Sequence, residues 1–246
     1  APLVALVPLG PLTRWQREDM ASPLRLLAPW AALALVLGVV AFFLAPQGHW
    51  KTALGILGAT WVAAGTLRFV WSRLRDSGRL TLEMWGMSLA HLGIAVFLVG
   101  ALLVEGLNQQ RETAVRPGGQ VAIGGDCFVL RGIEHHEGPN YTSDRATVDV
   151  LAGCRDKIAT LHPEKRRYAA GGQVMTEVGL LPGVTRDLYV ALGEPLGDDA
   201  WALRVHVKPF VRWIWAGALL MALGGLVTAT DRRFRQPARA ARQEAA

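Results

Sequence analysis

Residues 84–104, MWGMSLAHLGIAVFLVGALLV, run for 21 positions without a carboxylate, a lysine or an arginine. At ~1.5 Å per helical residue, this stretch covers the roughly 30 Å hydrocarbon core of a bilayer. Three further blocks repeat the signal: residues 28–45, 53–71 and 210–230. The last carries only Arg212, close enough to its start for the guanidinium to snorkel to the interface. A chain of 246 residues with 51% hydrophobic and 19% charged side chains is not disordered. The blocks predict a multi-pass α-helical membrane protein with four full spans. Residues 1–12 are apolar but broken by Pro2, Pro8 and Pro11, and no basic stretch precedes them. They are not a signal peptide and read as the tail of a truncated earlier span.

Charge placement sets the orientation, because cytoplasmic flanks hold the excess of Lys and Arg. Arg14, Arg17 and Arg25 precede the first block, and Arg68, Arg73, Arg75 and Arg79 lie at the second connection. Arg232, Arg233, Arg235, Arg239 and Arg242 follow the last block. The loop between the first two spans holds only Lys51. The spans then alternate consistently, with the tail at 231–246 cytoplasmic and the long segment 105–208 outside. That segment carries 12 basic and 14 acidic residues, so the net charge of +6 comes from the membrane flanks. It gives no support for nucleic-acid binding, which needs a basic face on a folded domain.

The outer segment reads as an all-β domain, because short β-branched and aromatic runs alternate with Gly, Pro and Asn clusters. Strands are expected at 120–123, 127–134, 145–151, 173–178, 188–192 and 201–207. Their spacing predicts a small barrel or sandwich with its own core. The run 163–168 concentrates charge in the outer domain as a site would, and a solvated loop explains it equally well. Cys127 and Cys154 both lie in this segment. An oxidising compartment would join them, and two buried free thiols fit the spacing equally well.

His91 lies seven residues past Met84, about 10 Å into the third span. An ionisable side chain at that depth is a functional candidate, and a neutral imidazole is a good axial ligand for haem iron. Gly86, Ala90, Gly93 and Gly100 would let a neighbouring helix or a flat ring approach closely. The plain alternative is a histidine hydrogen-bonded to a neighbouring helix, with Ser88 in the same part. His135 and His136 are adjacent and point to opposite faces of a strand, so they cannot chelate one metal together. His162 and His206 read as surface residues, and His49 as an interfacial one beside Trp50. Trp30, Trp50, Trp71, Trp85, Trp213 and Trp215 fall near span ends, as an aromatic belt requires, whereas mid-span Trp61 calls for packing against another helix. Arg212 could pair with a haem propionate or a lipid phosphate, with simple snorkelling as the alternative. No catalytic triad, phosphate loop or carboxylate pair is evident, so catalytic residues stay unassigned.

Four segments in order resemble the C-terminal part of the CcmF family: residues 84–104 with His91; Gly138-Pro-Asn-Tyr-Thr142; 161–168 followed by Met175-Thr-Glu177 and 185–190; and 212–217 with Gly224-Gly225. The resemblance covers essentially the whole chain. It implies an inner-membrane component of the bacterial cytochrome c haem lyase. Such a component takes haem from the haem chaperone CcmE and helps attach it to the C-x-x-C-H motif of apocytochrome c in the periplasm, with a thiol-handling CcmH-type protein as a further partner. It also implies a haem b held within the bilayer by two histidines, one of them at His91. The family's tryptophan-rich outer segment and its other haem-ligating histidines have no counterpart here. They are expected from the N-terminal part of the same protein or from a companion subunit, so this chain should not catalyse attachment by itself. A second reading is a non-catalytic membrane scaffold whose outer domain binds maturation partners. A transporter is less attractive, because no inverted repeat is visible.

Overall fold

Four helices carry the apolar blocks: α2 (Ala21–Leu44), α3 (His49–Ser77), α4 (Leu82–Leu107) and α5 (Val211–Ala229), each long and apolar enough to cross a membrane. A short α1 (Pro2–Leu6) and a 3₁₀ turn (Gly10–Leu12) precede them. The computed structural model describes residues 2–12, 21–45 and 49–231, so Arg14, Arg17 and the arginines from Arg232 onward lie outside the described residues, as do the side chain of His49 and nearly all of the tail. The chain divides into a helical unit, Ala1–Leu107 with Phe210–Ala246, and a β unit, Asn108–Pro209.

The charged flanks do not end the helices. α3 continues past Trp71 through Arg73 and Arg75, and Gly78, with φ +69°, stops it by donating its N–H to the Leu74 carbonyl at 2.9 Å. α4 begins where the Thr81 hydroxyl accepts the Met84 N–H at 3.3 Å. A second orphan donor of that terminus, the Glu83 N–H, reaches the Asp231 carboxylate at 3.2 Å, from just beyond the end of α5.

α4 and α5 run antiparallel and meet through glycines spaced seven apart on both helices. A Cβ at Gly93 would lie 2.7 Å from the Met221 nitrogen and 2.8 Å from the Gly217 oxygen, and one at Gly224 2.6 Å from the Ala90 nitrogen. Gly86 faces Gly224 and Thr228, and Gly100 faces Trp213 and Ile214. Backbone-to-backbone approach of this kind needs the missing side chains, and it supplies the dispersion contacts that bind helices where lipid removes the hydrophobic drive. The period of seven keeps one seam facing the partner, as in a left-handed supercoil. On the other side of α4, Ala95 packs with Ala59 and Val62 of α3. Lys51 near the start of α3 pairs with Glu105 near the end of α4.

The β unit is two antiparallel sheets around one core. One has the order β1-β10-β9-β8, from Gln109–Val115, Ala200–Pro209, Arg186–Gly197 and Gly179–Leu181. The other has the order β2-β3-β4-β6-β7, from Gln120–Ile123, Asp126–Glu137, Tyr141–Ala152, Glu164–Tyr168 and Val174–Glu177, with β5 (Asp156–Leu161) pairing β4. First and last strands pair, with Gln109 opposite Val207 and Val115 opposite Trp201. Phe128, Leu130, Val148, Val150, Val190, Leu192, Leu203 and Val205 alternate inward and are fully buried.

Four strands, β1, β5, β6 and β8, lie outside those that the sequence predicts, and two of them show why. Residues 163–168 are not a solvated loop: Glu164–Tyr168 form β6 between β4 and β7. Glu164 is buried there and held by Arg145 at 2.6 Å and Arg166 at 2.9 Å. Strand β1, QQRETAV, buries only Val115, so its pairing with β10 leaves no alternation to read. Cys127 and Cys154 form a disulfide that ties the start of β3 to the turn after β4.

Candidate functional site: a histidine within the helical unit

His91 lies within the glycine seam that runs from Gly86 to Gly100, five residues after the first and nine before the last, on a different face of α4. By helical spacing it shares that face with Ser88, Ala95 and Leu98. Leu98 and Leu102 approach Gly55 of α3, and Ala95 joins the Ala59–Val62 cluster, so His91 belongs to the α3 side. The glycine side, which either a helix or a flat ring could have used, is filled by α5.

His91 as a residue is half-buried, yet its Nδ1 is fully buried and has no hydrogen-bond partner. The Ser88 hydroxyl, at 3% exposure, is also without one. A packing hydrogen bond therefore does not explain either group. An unpaired buried polar atom costs about 1–3 kcal/mol, so packing within the bundle does not account for the pair, as it does not for the unpaired buried hydroxyl of Thr52 in the first turn of α3. Thr66 of α3 is buried too, but its hydroxyl donates to the Val62 carbonyl at 2.8 Å. An imidazole with a buried, unsatisfied second nitrogen fits the donor chemistry of an axial haem ligand, whose Nδ1–H ordinarily finds an acceptor.

Arg212 lies in the first turn of α5 and is exposed, with no carboxylate partner among the described residues. It precedes Gly217 by five residues, which turns it away from the α4 seam. The structure does not bring it to His91: Gly100, at the Arg212 end of α4, is about 14 Å along the helix from His91. Trp61 packs as its mid-span position requires, donating from Nε1 to the Ala5 carbonyl at 3.1 Å. Trp50, Trp71, Trp85 and Trp215 are exposed near helix ends.

In the β unit His135 is exposed, its Nδ1 3.4 Å from Asp144, and His162 is exposed near Thr147. His206 is not a plain surface residue. It is half-buried, with Nδ1 buried and unpaired. Burial first, then Lys208 and Arg204, holds its imidazole below the ordinary histidine range. With Tyr189, Arg204 and Lys208 it lines a cavity of about 710 Å³ on the outer face of the β1-β10-β9-β8 sheet. Its lining runs from Glu112 of β1 through Lys165 of β6 to Lys208 of β10, 96 residues from first to last, which is why no local pattern announces it. Two carboxylates on the other sheet are strongly anchored. Asp149 accepts from Lys157, from Thr160 at 2.7 Å and from Arg131 at 2.8 Å, and these hold its carboxyl well below the usual range against the effect of burial. Burial pushes Glu164 up, and Arg166 and Arg145 outweigh it.

Four apolar helices, an intramembrane histidine and a sandwich inserted before the last helix define an integral membrane protein with a separate β domain. Residues 106–209 match the family model described as the CcmF C-terminal beta-sandwich. The chain belongs to the CcmF family, as a C-terminal part of it. It is 45% identical over 241 residues to the cytochrome c-type biogenesis protein CcmF of Pseudomonas aeruginosa, covering 96% of this chain and 36% of that protein. To the protein of the same name from Escherichia coli it is 38% identical over 236 residues, covering 96% and 36%. The chain thus spans about a third of the length of these relatives. The fold is that of a solved cytochrome c heme lyase CcmF, with a TM-score of 0.74 at 19% identity over 93% of this chain and 38% of that one.

Proposed function

We propose that this chain is the C-terminal part of an inner-membrane cytochrome c haem lyase, with its C-terminus cytoplasmic and the β domain periplasmic. In this reading it handles haem from the chaperone CcmE and helps attach it to apocytochrome c, together with a CcmH-type thiol-handling protein. The observation that carries the reading is the unpaired, buried Nδ1 of His91 in a family whose members are named for cytochrome c biogenesis.

His91 would be one axial ligand of a membrane haem b, through Nε2. A haem there supplies one-electron chemistry, its potential set by axial ligation and burial. The α3 side of α4 keeps water from the imidazole, and the glycine seam with α5 holds α4 so that the ring points to one place. The second ligand and the surface that receives the incoming haem come from the N-terminal part of the protein or a companion subunit. Arg212, exposed at the other end of α5, would take a propionate or a lipid phosphate by bidentate pairing. The β domain has no reacting group in this reading and docks maturation partners, a role the cavity around Tyr189 and His206 suits.

The test is a reduced-minus-oxidised absorbance spectrum of the chain co-purified with the N-terminal portion of a family member. A b-type spectrum present with His91 and lost with His91→Ala, at equal protein, supports ligation. An unchanged spectrum refutes it and favours the scaffold reading.

A further inference from the structure

We infer that Ser88 is a positioning residue for His91: its hydroxyl accepts the Nδ1–H of the imidazole when Nε2 is on iron. The inference rests on the reading of His91 as a haem ligand. Ligation through Nε2 leaves the ring proton on Nδ1 and makes that nitrogen an obligatory donor in an apolar setting. Thr66 and Ser88 are buried hydroxyls on the two helices beside His91. Thr66 is on α3 and its own proton is committed to the Val62 carbonyl. Ser88 is on α4 itself, buried, three residues before His91, and uncommitted.

Helix geometry favours Ser88. Residues three apart have Cβ atoms about 5–6 Å from one another, and helical side chains lean toward the N-terminus, so the imidazole lies back over the turn that holds Ser88. Rotation of the hydroxyl about the Ser88 Cα–Cβ bond joins the two unpaired atoms. The serine can pass its own proton on to the Met84 carbonyl, four residues earlier, as serines within helices do. One turn of α4 would then satisfy Nδ1, Oγ and a backbone carbonyl in a single file, and fix both the tautomer and the angle of the ring.

Accepting a proton bond from Nδ1–H makes the imidazole more basic and favours ferric iron. Removing the acceptor favours ferrous iron. The experiment is a redox titration of the haem absorbance in the co-purified complex, with Ser88→Ala, Ser88→Cys, Ser88→Thr, Thr66→Val and His91→Ala. Ser88→Ala and Ser88→Cys should retain the b-type spectrum and shift the redox equilibrium about tenfold toward the ferrous form, about 59 mV upward for one electron. Ser88→Thr should restore the parent potential. The inference is overturned if both hydroxyl-free variants titrate like the parent. It is also overturned if Ser88→Ala shifts and the volume-keeping Ser88→Cys does not, or if Thr66→Val alone shifts. A spectrum that survives His91→Ala instead removes the ligand reading on which the inference stands.

Discussion

Breaking the Cys127–Cys154 bridge tests the most quantitative statement the β domain offers. Cys154 is exposed, in a turn with φ +60°, whereas Cys127 is 1% exposed at the start of β3. Cys154→Ser therefore removes the bond and leaves the buried sulfur in place, so little packing is lost. The bridge spans 27 residues of sequence. The chain-entropy relation for a loop of that size gives about 3.5 kcal/mol of stabilisation at 25 °C, acting through the unfolded chain. The assay is urea unfolding of a 108–209 fragment, in which Trp201 is the only tryptophan and reports on the domain alone. With a denaturant slope of about 1.5 kcal/mol per molar, the midpoint of Cys154→Ser should fall by about 2 M, and reduction of the parent should do the same. A drop under about 0.5 M in a parent shown to be bridged would refute the reasoning. It would mean that the β3–β4 hairpin stays closed in the unfolded chain without the bond.

Two further outcomes follow from close packing and from charge. At Gly93, where a Cβ would meet backbone atoms of α5 at 2.7 and 2.8 Å, Gly93→Ala should cost about 1–3 kcal/mol and lower the thermal midpoint in detergent. Gly225→Ala, with nothing within 4 Å, should not, and equal effects would sink the seam as the cause. The folded carboxyl of Asp149 lies below its unfolded value, so its contribution is present above about pH 4 and fades as pH falls toward the folded value. Asp149→Asn should destabilise the domain at pH 7 by more than at pH 3 in urea titrations. A difference that does not shrink with pH would show that the carboxylate charge is not the cause.

The spans were legible because apolarity is contiguous in sequence and the bilayer demands little else. The seven-residue glycine spacing of α4 was visible as well, but not what fills it. Only the pairing of 86 with 224 and 93 with 217 reveals that α5 takes that side and leaves His91 to the α3 side. In the β domain, runs such as 145–151 read correctly because alternation reports burial on one face. β6 did not, since Glu164 is buried by arginines from its own strand and from β4, and a charged strand looks like a loop until its partners are known. His206 was misjudged for the same reason. Its neighbours in the cavity come from β1, β6 and β9, and no short window contains them. His91 remained a candidate on chemistry alone: the missing hydrogen bond at Nδ1 is a statement about space that a sequence does not make.

The pairing of β1 with β10 has an architectural meaning of its own. Cα atoms opposite one another in an antiparallel pair are about 4.5–5.5 Å apart, so the domain's entry and exit points sit side by side at one margin. α4 and α5 hold together by their own backbones and take nothing from the domain for that contact. A chain arranged in this way is a helical hairpin with a cassette spliced into its bend. The cassette can be enlarged, exchanged or replaced by a tight turn while the helical hairpin keeps its register, which leaves the surface that the domain presents free to evolve apart from the fixed place of one imidazole.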